Sequence, residues 1–385
     1  MHCLIVPDSF KGSLSAGEAA QAMAEGARAV FPDATIVELP IADGGEGTVE
    51  ALLRATGGQS KQTTVTGPLG VPTVATWGFL GDGTTAVIEM AAASGITLIT
   101  EQERNPLKTT TFGTGELIRA ALDGGAMKII IGIGGSATND GGAGMAEALG
   151  VRLLDTGRAA IGRGGEALLK LSRIDISRLD PRLRKVEVVA ACDVDNVLSG
   201  SKGASVVYGA QKGATGHDVE ILDRALLRYG EIIKKSLGIN VFMLRGGGAG
   251  GGLGAGLAVF CDAKLVRGID LILDIIGFDG HIKKADVVIT GEGRIDSQMK
   301  YGKALAGVLE QAARHSVPVL GIAGSIEGPP DQYRRKNLFA DVGSLAGGTV
   351  SVEVAMRNAR ELIQQCTSDL LQRWSQGRNQ GSWSS

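Results

Sequence analysis

The chain has 385 residues, enough for two domains and a large core, with 39 basic and 41 acidic side chains and a net charge of −2. That balance, with no sustained basic run, excludes the electrostatic footprint of a nucleic-acid or anionic-membrane binder, and 4 % aromatics are too few for base-stacking platforms. Glycine, at 59 residues, is about twice its usual share, and it gathers in clusters between apolar runs.

Cys3–Val6 reads as a short apolar strand that ends at Pro7-Asp8, and Ser15 to Glu18 forms a capping box that opens a helix stopping before Pro32. Thr35–Leu39 is the next strand, leading to Ala42-Asp43-Gly44-Gly45-Glu46-Gly47-Thr48 and a second helix. This is a βαβα rhythm with polar loops at the carboxyl ends of the strands. From Thr63 to about Thr100, Val/Thr-rich runs broken by Gly67-Pro68-Leu69-Gly70 and Gly81-Asp82-Gly83 predict antiparallel hairpins. A helix follows over about 115–123, then the strand Ile129–Ile133, the strand Val186–Cys192 and a long helix over about 218–237. From Ala285 the βα rhythm returns: strand Val287–Ile289, a loop at 290–296, a helix over about 302–315, strand Val317–Ile322, a short strand near Phe339–Val342 and a helix over about 352–374.

The first two strands and the last three can share one parallel sheet of flavodoxin-like type, with the middle of the chain inserted. The expected organisation is therefore an α/β domain from residues 1–62 plus 285–375, an inserted mixed α/β domain over 63–284, a cleft between them, and a disordered Gly/Ser-rich tail at 376–385. Four separated cysteines without C-x-x-C indicate neither a zinc framework nor a redox pair. The N-terminal apolar run is too short for a signal peptide and no stretch approaches a membrane span, so the expected location is cytoplasmic. A homodimer is left open.

The most informative stretch is Lys128–Gly150. Its apolar strand empties into a loop with Gly132, Gly134, Gly135, Gly141, Gly142 and Gly144, interleaved with Ser136, Thr138, Asn139 and Asp140. Glycines at a strand-to-helix turn let backbone N–H groups converge on an anion, and Ser, Thr, Asn and Asp oxygens suit Mg²⁺. The run Gly132 to Ala137 also fits G-x-G-x-x-A, the outline of a dinucleotide fingerprint. Asn139-Asp140-Gly141-Gly142, however, falls where the cofactor helix should begin, and the glycine pair disfavours helix there.

Asp8, Asp43, Asp193 and Glu292 each end an apolar strand inside a Gly-rich loop, and Lys11, Lys212, Arg294 and Lys303 lie in or beside such loops. The four histidines share no metal or triad spacing, and G-x-S-x-G and Walker A are both absent. A general base must then be a carboxylate, which is the kinase pattern: Asp takes a hydroxyl proton while cations hold the phosphates.

Taken together, Pro7–Leu14 (PDSFKGSL), Ala42–Thr48 (ADGGEGT), Ile131–Gly144 (IGIGGSATNDGGAG), Ala191–Val194 (ACDV) and Thr290–Asp296 (TGEGRID) resemble the motifs of bacterial glycerate kinases. The resembled type phosphorylates D-glycerate to 2-phosphoglycerate. Asn196-Val197 and Arg245 depart from the usual Asn-Pro and Pro. The resemblance implies ATP and Mg²⁺. With its motifs carried over, Gly134, Gly135, Ser136, Thr138 and Asn139 are expected at the ATP phosphates, with Gly248, Gly250 and Gly251 alongside. Asp193 is the expected base, with Lys11 and Arg294 as catalytic cations, and Asp140 and Asp296 are the expected Mg²⁺ ligands. Asp8, Ser9, Asp43, Glu46 and Glu292 are expected around glycerate. Phosphorylation at O3, and a non-catalytic hydroxy-acid sensor, are the alternatives.

Overall fold

Two four-residue strands near the start of the chain and three later runs build the first sheet. In the computed structural model, which describes residues 1–42, 45, 47–296, 304–334 and 338–379, the strands β1 (His2–Ile5) and β2 (Thr35–Glu38) pair in parallel. In chain order, the strands after β2 are β3 (Gln59–Thr66), β4 (Pro72–Phe79), β5 (Thr85–Glu89), β6 (Lys128–Gly132), β7 (Arg152–Leu154), β8 (Arg173–Asp175), β9 (Glu187–Ala191), β10 (Lys264–Val266), β11 (Val287–Ile295), β12 (Val319–Ile326) and β13 (Asp341–Ser344). One five-stranded parallel sheet has the order β13-β12-β11-β1-β2, and a six-stranded mixed sheet has the order β10-β9-β6-β5-β4-β3.

The chain divides into two units: Met1–Asp43 with Glu50–Ala55 and Ile269–Ser385, and Gly44–Val49 with Thr56–Gly268. Beside the boundaries expected at 62 and 285, the changeovers near Thr56 and Gly268 are earlier. In the first unit, Cys3 and Ile5 of β1, Val287 and Ile289 of β11, and Leu320 and Ile322 of β12 are buried against two helices, Ala16–Val30 and Ala359–Asn379. The first of these helices starts where the sequence places it: Ser15 Oγ accepts the Glu18 N–H, and Glu18 returns a carboxylate oxygen to the Ser15 N–H at 2.8 Å. The two helices approach closely at Gly26, where a Cβ would meet the Gln364 carbonyl.

Two expectations in this unit are corrected. Residues 290–295 are strand and not loop, because β11 keeps pairing with β12 from Val288↔Val319 to Ile295↔Ile326, well past the end of β1. The closing helix also runs through residues 376–379, part of the stretch expected to be a disordered tail. The rest of that tail, and Lys303, lie outside the described residues.

In the second unit, β3, β4 and β5 are the antiparallel hairpins read from the turn chemistry, and β5, β6 and β9 continue the sheet in parallel. Ile129, Ile130 and Ile131 of β6 are all buried, as a strand covered on both faces must be. The short run after the Gly-rich loop does not continue this sheet: β7 pairs antiparallel with β8 as a separate ribbon. A dinucleotide-binding βαβ unit needs a parallel second strand there, which removes that reading. No helix among the described residues is long and apolar enough to cross a membrane.

Candidate active site

In the five-stranded sheet the chain leaves β1 toward β2 on one side and proceeds from β11 to β12 and β13 on the other, so the order reverses between β1 and β11. Open parallel sheets hold ligands outside the carboxyl ends of the strands flanking such a reversal. A cavity of about 310 Å³ lies there, and Asp8, Ser9, Lys11, Glu292 and Arg294 all line it. The geometry thus gathers five residues that are 281 or more positions apart in two groups (292 − 11 = 281). Asp8 is fixed at both ends: its N–H donates to the Gly291 carbonyl, and its Oδ1 accepts the Ser9 N–H at 2.6 Å. Glu292 sits on β11 with its side chain largely buried, and Arg294 is reached by Asp296 at 3.7 Å and by Glu327 at 3.6 Å. The opposite wall is apolar, from Leu345, Val352 and Met356. Asp296 contributes to the Arg294 pairing but not to the lining. Asp43 and Glu46, expected beside these groups, lie outside the described residues.

The Gly-rich loop belongs to the second unit. Gly135, Gly141 and Gly142 hold φ of +70°, +65° and +76°, values that L side chains rarely adopt, and the helix Ala143–Ala148 begins directly after them. The N–H groups of Gly134, Gly135, Ser136, Thr138 and Asn139 have no acceptor among the described residues, whereas those of Ala137 and Gly141 are taken by Ser94 and Gly251. Two oxygens, Thr138 Oγ1 and Asn139 Oδ1, are buried without a partner. Unsatisfied buried polar groups are costly to maintain, and a run of free N–H donors at a turn is the arrangement that receives an anion.

A buried polar frame supports this loop. Asp140 is fully enclosed and accepts from the Thr111 N–H (2.9 Å), the Thr111 hydroxyl, and the N–H groups of Gly142 (3.1 Å) and Gly144 (3.2 Å). Burial raises its pKa, opposed by these donors. Asp140, expected as a Mg²⁺ ligand, has both oxygens engaged by these donors and braces the turn. Thr109 donates to the Ala137 carbonyl at 2.9 Å, and Asn139 donates to Ser205 at 2.8 Å. Lys212 is also enclosed, donating to Ser136 Oγ at 2.6 Å and to the Thr138 carbonyl at 2.7 Å. Its burial lowers the pKa to about 7, with Asp140 pulling the other way.

The second glycine cluster packs directly against the first Gly-rich loop. Gly248 is buried, its N–H donates to Asn196, and a Cβ there would strike the Val197 carbonyl. A Cβ on Gly251 would strike the Thr138 carbonyl, and one on Gly250 would stand 3.2 Å from the Ile133 carbonyl. These glycines are the bed on which the Gly-rich loop at 132–144 rests, a backbone-to-backbone approach that no side chain permits. Asp193 stands at the end of β9, half-buried, its Oδ1 accepting the Gly268 N–H at 2.8 Å.

Residue by residue, then, the structure brings Asp8, Ser9, Lys11, Glu292 and Arg294 to one cavity and leaves Gly134, Gly135, Ser136, Thr138 and Asn139 with donors to spare. The sequence reading missed Thr109, Thr111 and Ser205. Three consecutive threonines at 109–111 read in sequence as an ordinary polar loop, and only the packing shows that they are buried. Among the described residues no three His, Cys, Asp or Glu side chains cluster as a ready-made metal cage.

The profile of the glycerate kinase family matches residues 3–375. The chain is 52 % identical over 370 residues to glycerate kinase of Bacillus subtilis (strain 168), covering 96 % of this chain and 97 % of the relative. It is 53 % identical over 326 residues to glycerate 2-kinase of Escherichia coli (strain K12), covering 85 % and 86 % respectively. A crystal structure from Salmonella typhimurium LT2 superimposes with a TM-score of 0.88 at 48 % identity, over 98 % of this chain and 99 % of that one. With its motifs intact at the sheet reversal and in the Gly-rich loop, this chain belongs to the glycerate kinase family.

Proposed function

We propose that this chain transfers the terminal phosphoryl group of ATP to the 2-hydroxyl of D-glycerate. The observation that carries this reading is the family match across residues 3–375, within which the five acidic, basic and hydroxyl residues of the first unit share one cavity. In this reading the first unit is flavodoxin-like, its 2-1-3-4-5 order being that of the doubly wound folds that bind ligands at the reversal point.

Glycerate takes the cavity at β1 and β11. Lys11 and Arg294 face its carboxylate, and Ser9 with Asp8 and Glu292 receive its hydroxyls. The ATP phosphates take the loop of the second unit, where Gly134, Gly135, Ser136, Thr138 and Asn139 supply unpaired N–H donors. Asp193, oriented by the Gly268 N–H, accepts the hydroxyl proton. Mg²⁺ supplies charge neutralisation of the phosphates. It normally takes one or two carboxylates plus phosphate oxygens, so Asp8, Glu292 and Asp296 fit it without a prebuilt cage.

A coupled ADP-release assay with D-glycerate tests the reaction: turnover above the no-acceptor rate is expected, and its absence at millimolar substrate rejects the enzyme in favour of a hydroxy-acid sensor. Phosphorus NMR of the product separates O2 from O3.

A further inference from the structure

Lys212 is an enclosed amine with no carboxylate in ion-pair contact among the described residues. Its two hydrogen-bond partners, Ser136 Oγ and the Thr138 carbonyl, are both neutral, and among the described residues no carboxylate lies within 4.0 Å of its Nζ. Taking an ammonium group out of water costs several kcal/mol unless a counter-charge is supplied. Among the described residues Asp140 is the titratable group that acts on it electrostatically, and Asp140 already engages its oxygens with Thr111, Gly142 and Gly144. Tyr229, the other buried titratable group of this region, interacts with Asp140. What remains beside Lys212 is the loop whose five backbone donors are unpaired.

The position of Lys212 is itself held with care. It closes the one-turn helix Ala210–Lys212, and Gly213 follows at φ +91°, where a Cβ would collide with the Arg104 backbone. Eight residues earlier in sequence (212 − 204 = 8), the helix Ala204–Tyr208 opens and sends Ser205 to Asn139. One short segment thus grips the loop at both Asn139 and Ser136.

We propose that Lys212 is the positioning residue of the phosphate loop, its ammonium holding Ser136 and Thr138 in the binding conformation and receiving its missing counter-charge from the nucleotide's phosphates. The inference rests on the assignment of the loop to nucleotide phosphate. It has a consequence that a purely structural lysine would not have: bound phosphate favours the charged amine, so nucleotide binding takes up a proton whenever the free enzyme's Lys212 is neutral. With its pKa at about 7, that condition is met at pH 8.

The test is calorimetric titration of the full-length protein with ADP at pH 8 in two buffers of different ionisation enthalpy. Wild type should take up a fraction of a proton approaching one per nucleotide, with uptake falling toward pH 6. Lys212→Met should bind ADP at least about tenfold more weakly with no uptake, and Lys212→Arg should recover affinity without the proton. Gly135→Val, which blocks the loop itself, should also weaken ADP. If Gly135→Val weakens ADP but wild type shows no buffer dependence, Lys212 does not play this part although the loop binds phosphate. If Gly135→Val leaves ADP affinity unchanged, the loop assignment fails and this inference with it. The wild-type buffer comparison needs no variant, so a misfolded Lys212→Met would not rescue the proposal.

Discussion

The carbonyl oxygen of Thr138 lies where the Cβ of any residue other than glycine at position 251 would have to be. The two Gly-rich stretches, 113 residues apart in sequence (251 − 138 = 113), are therefore one piece of architecture, joined also by the hydrogen bond from the Gly141 N–H to the Gly251 carbonyl at 3.0 Å. Gly251 also holds φ at +71°, so a side chain there meets both strain and collision.

Gly251→Ala should accordingly lower stability by roughly 2 kcal/mol or more and raise the KM for ATP, because the bed and the loop move together. Gly216→Ala, in the first turn of the helix Gly216–Leu237 with open space at its Cβ, should change neither. Thermal unfolding and ATP saturation curves of the two variants make the comparison.

Asp140→Asn should destabilise the second unit on the order of 3 kcal/mol, since an amide replaces one acceptor oxygen with a donor among the Thr111, Gly142 and Gly144 donors. The drop in Tm should be the same with Mg²⁺ or with EDTA. A Tm that is unchanged, paired with a raised Mg²⁺ requirement, would return Asp140 to the metal.

Asp193→Asn should reduce kcat by roughly 10²–10⁴, the usual contribution of a general base, with little change in ATP affinity. Steady-state kinetics decide it, with Asp8→Asn as the comparison: Asp8 is proposed for substrate contact, so its variant should act chiefly on the KM for glycerate. Near-normal turnover by the Asp193 variant would move the base to another carboxylate.

Lys11→Met should raise the KM for glycerate about tenfold or more and leave that for ATP unaltered, because a charge-assisted contact to a carboxylate is lost from the first unit's cavity alone. Competition with a neutral triol gives a second check. The triol lacks the carboxylate, so its weak binding should be the same in wild type and variant.

The pH dependence of stability has a sign that follows from Lys212. Its pKa falls from 10.5 to about 7 on folding, so between those values the unfolded chain holds a proton that the folded chain has released. Stability from this group therefore rises with pH across that window and is lowest below about 7, at a slope of no more than ~1.4 kcal/mol per pH unit. Cys3, Cys261 and Cys366 are raised by burial to about 11, 12 and 12, and they act oppositely above about pH 9. The difference in Tm between wild type and Lys212→Met cancels the cysteines and should grow in favour of wild type from pH 7 to 9.5. A flat difference would contradict the buried, titrating amine.

Local chemistry made much of this protein readable before any coordinates. The Ser15–Glu18 capping box, the period of the apolar runs and the turn residues of the β3–β4 hairpin are short-range signals, and each is found where it was read. By its glycines and charges Thr290–Ile295 reads as a loop beyond Ile289; only its neighbour β12, paired alongside as far as Ile295↔Ile326, makes it strand.

What the sequence by itself determined was the alternation of strands and helices, the family, and the kinds of side chain that stand at the strand ends. What only the tertiary structure decided was depth: that Lys212 is enclosed beside Ser136, that Asp140 is enclosed and braces a turn, and that the second glycine run packs as a floor under the first. The physical reason is that burial and partnering are set by segments scores of residues away. A charge in a polar loop looks the same in sequence whether water or packed backbone surrounds it.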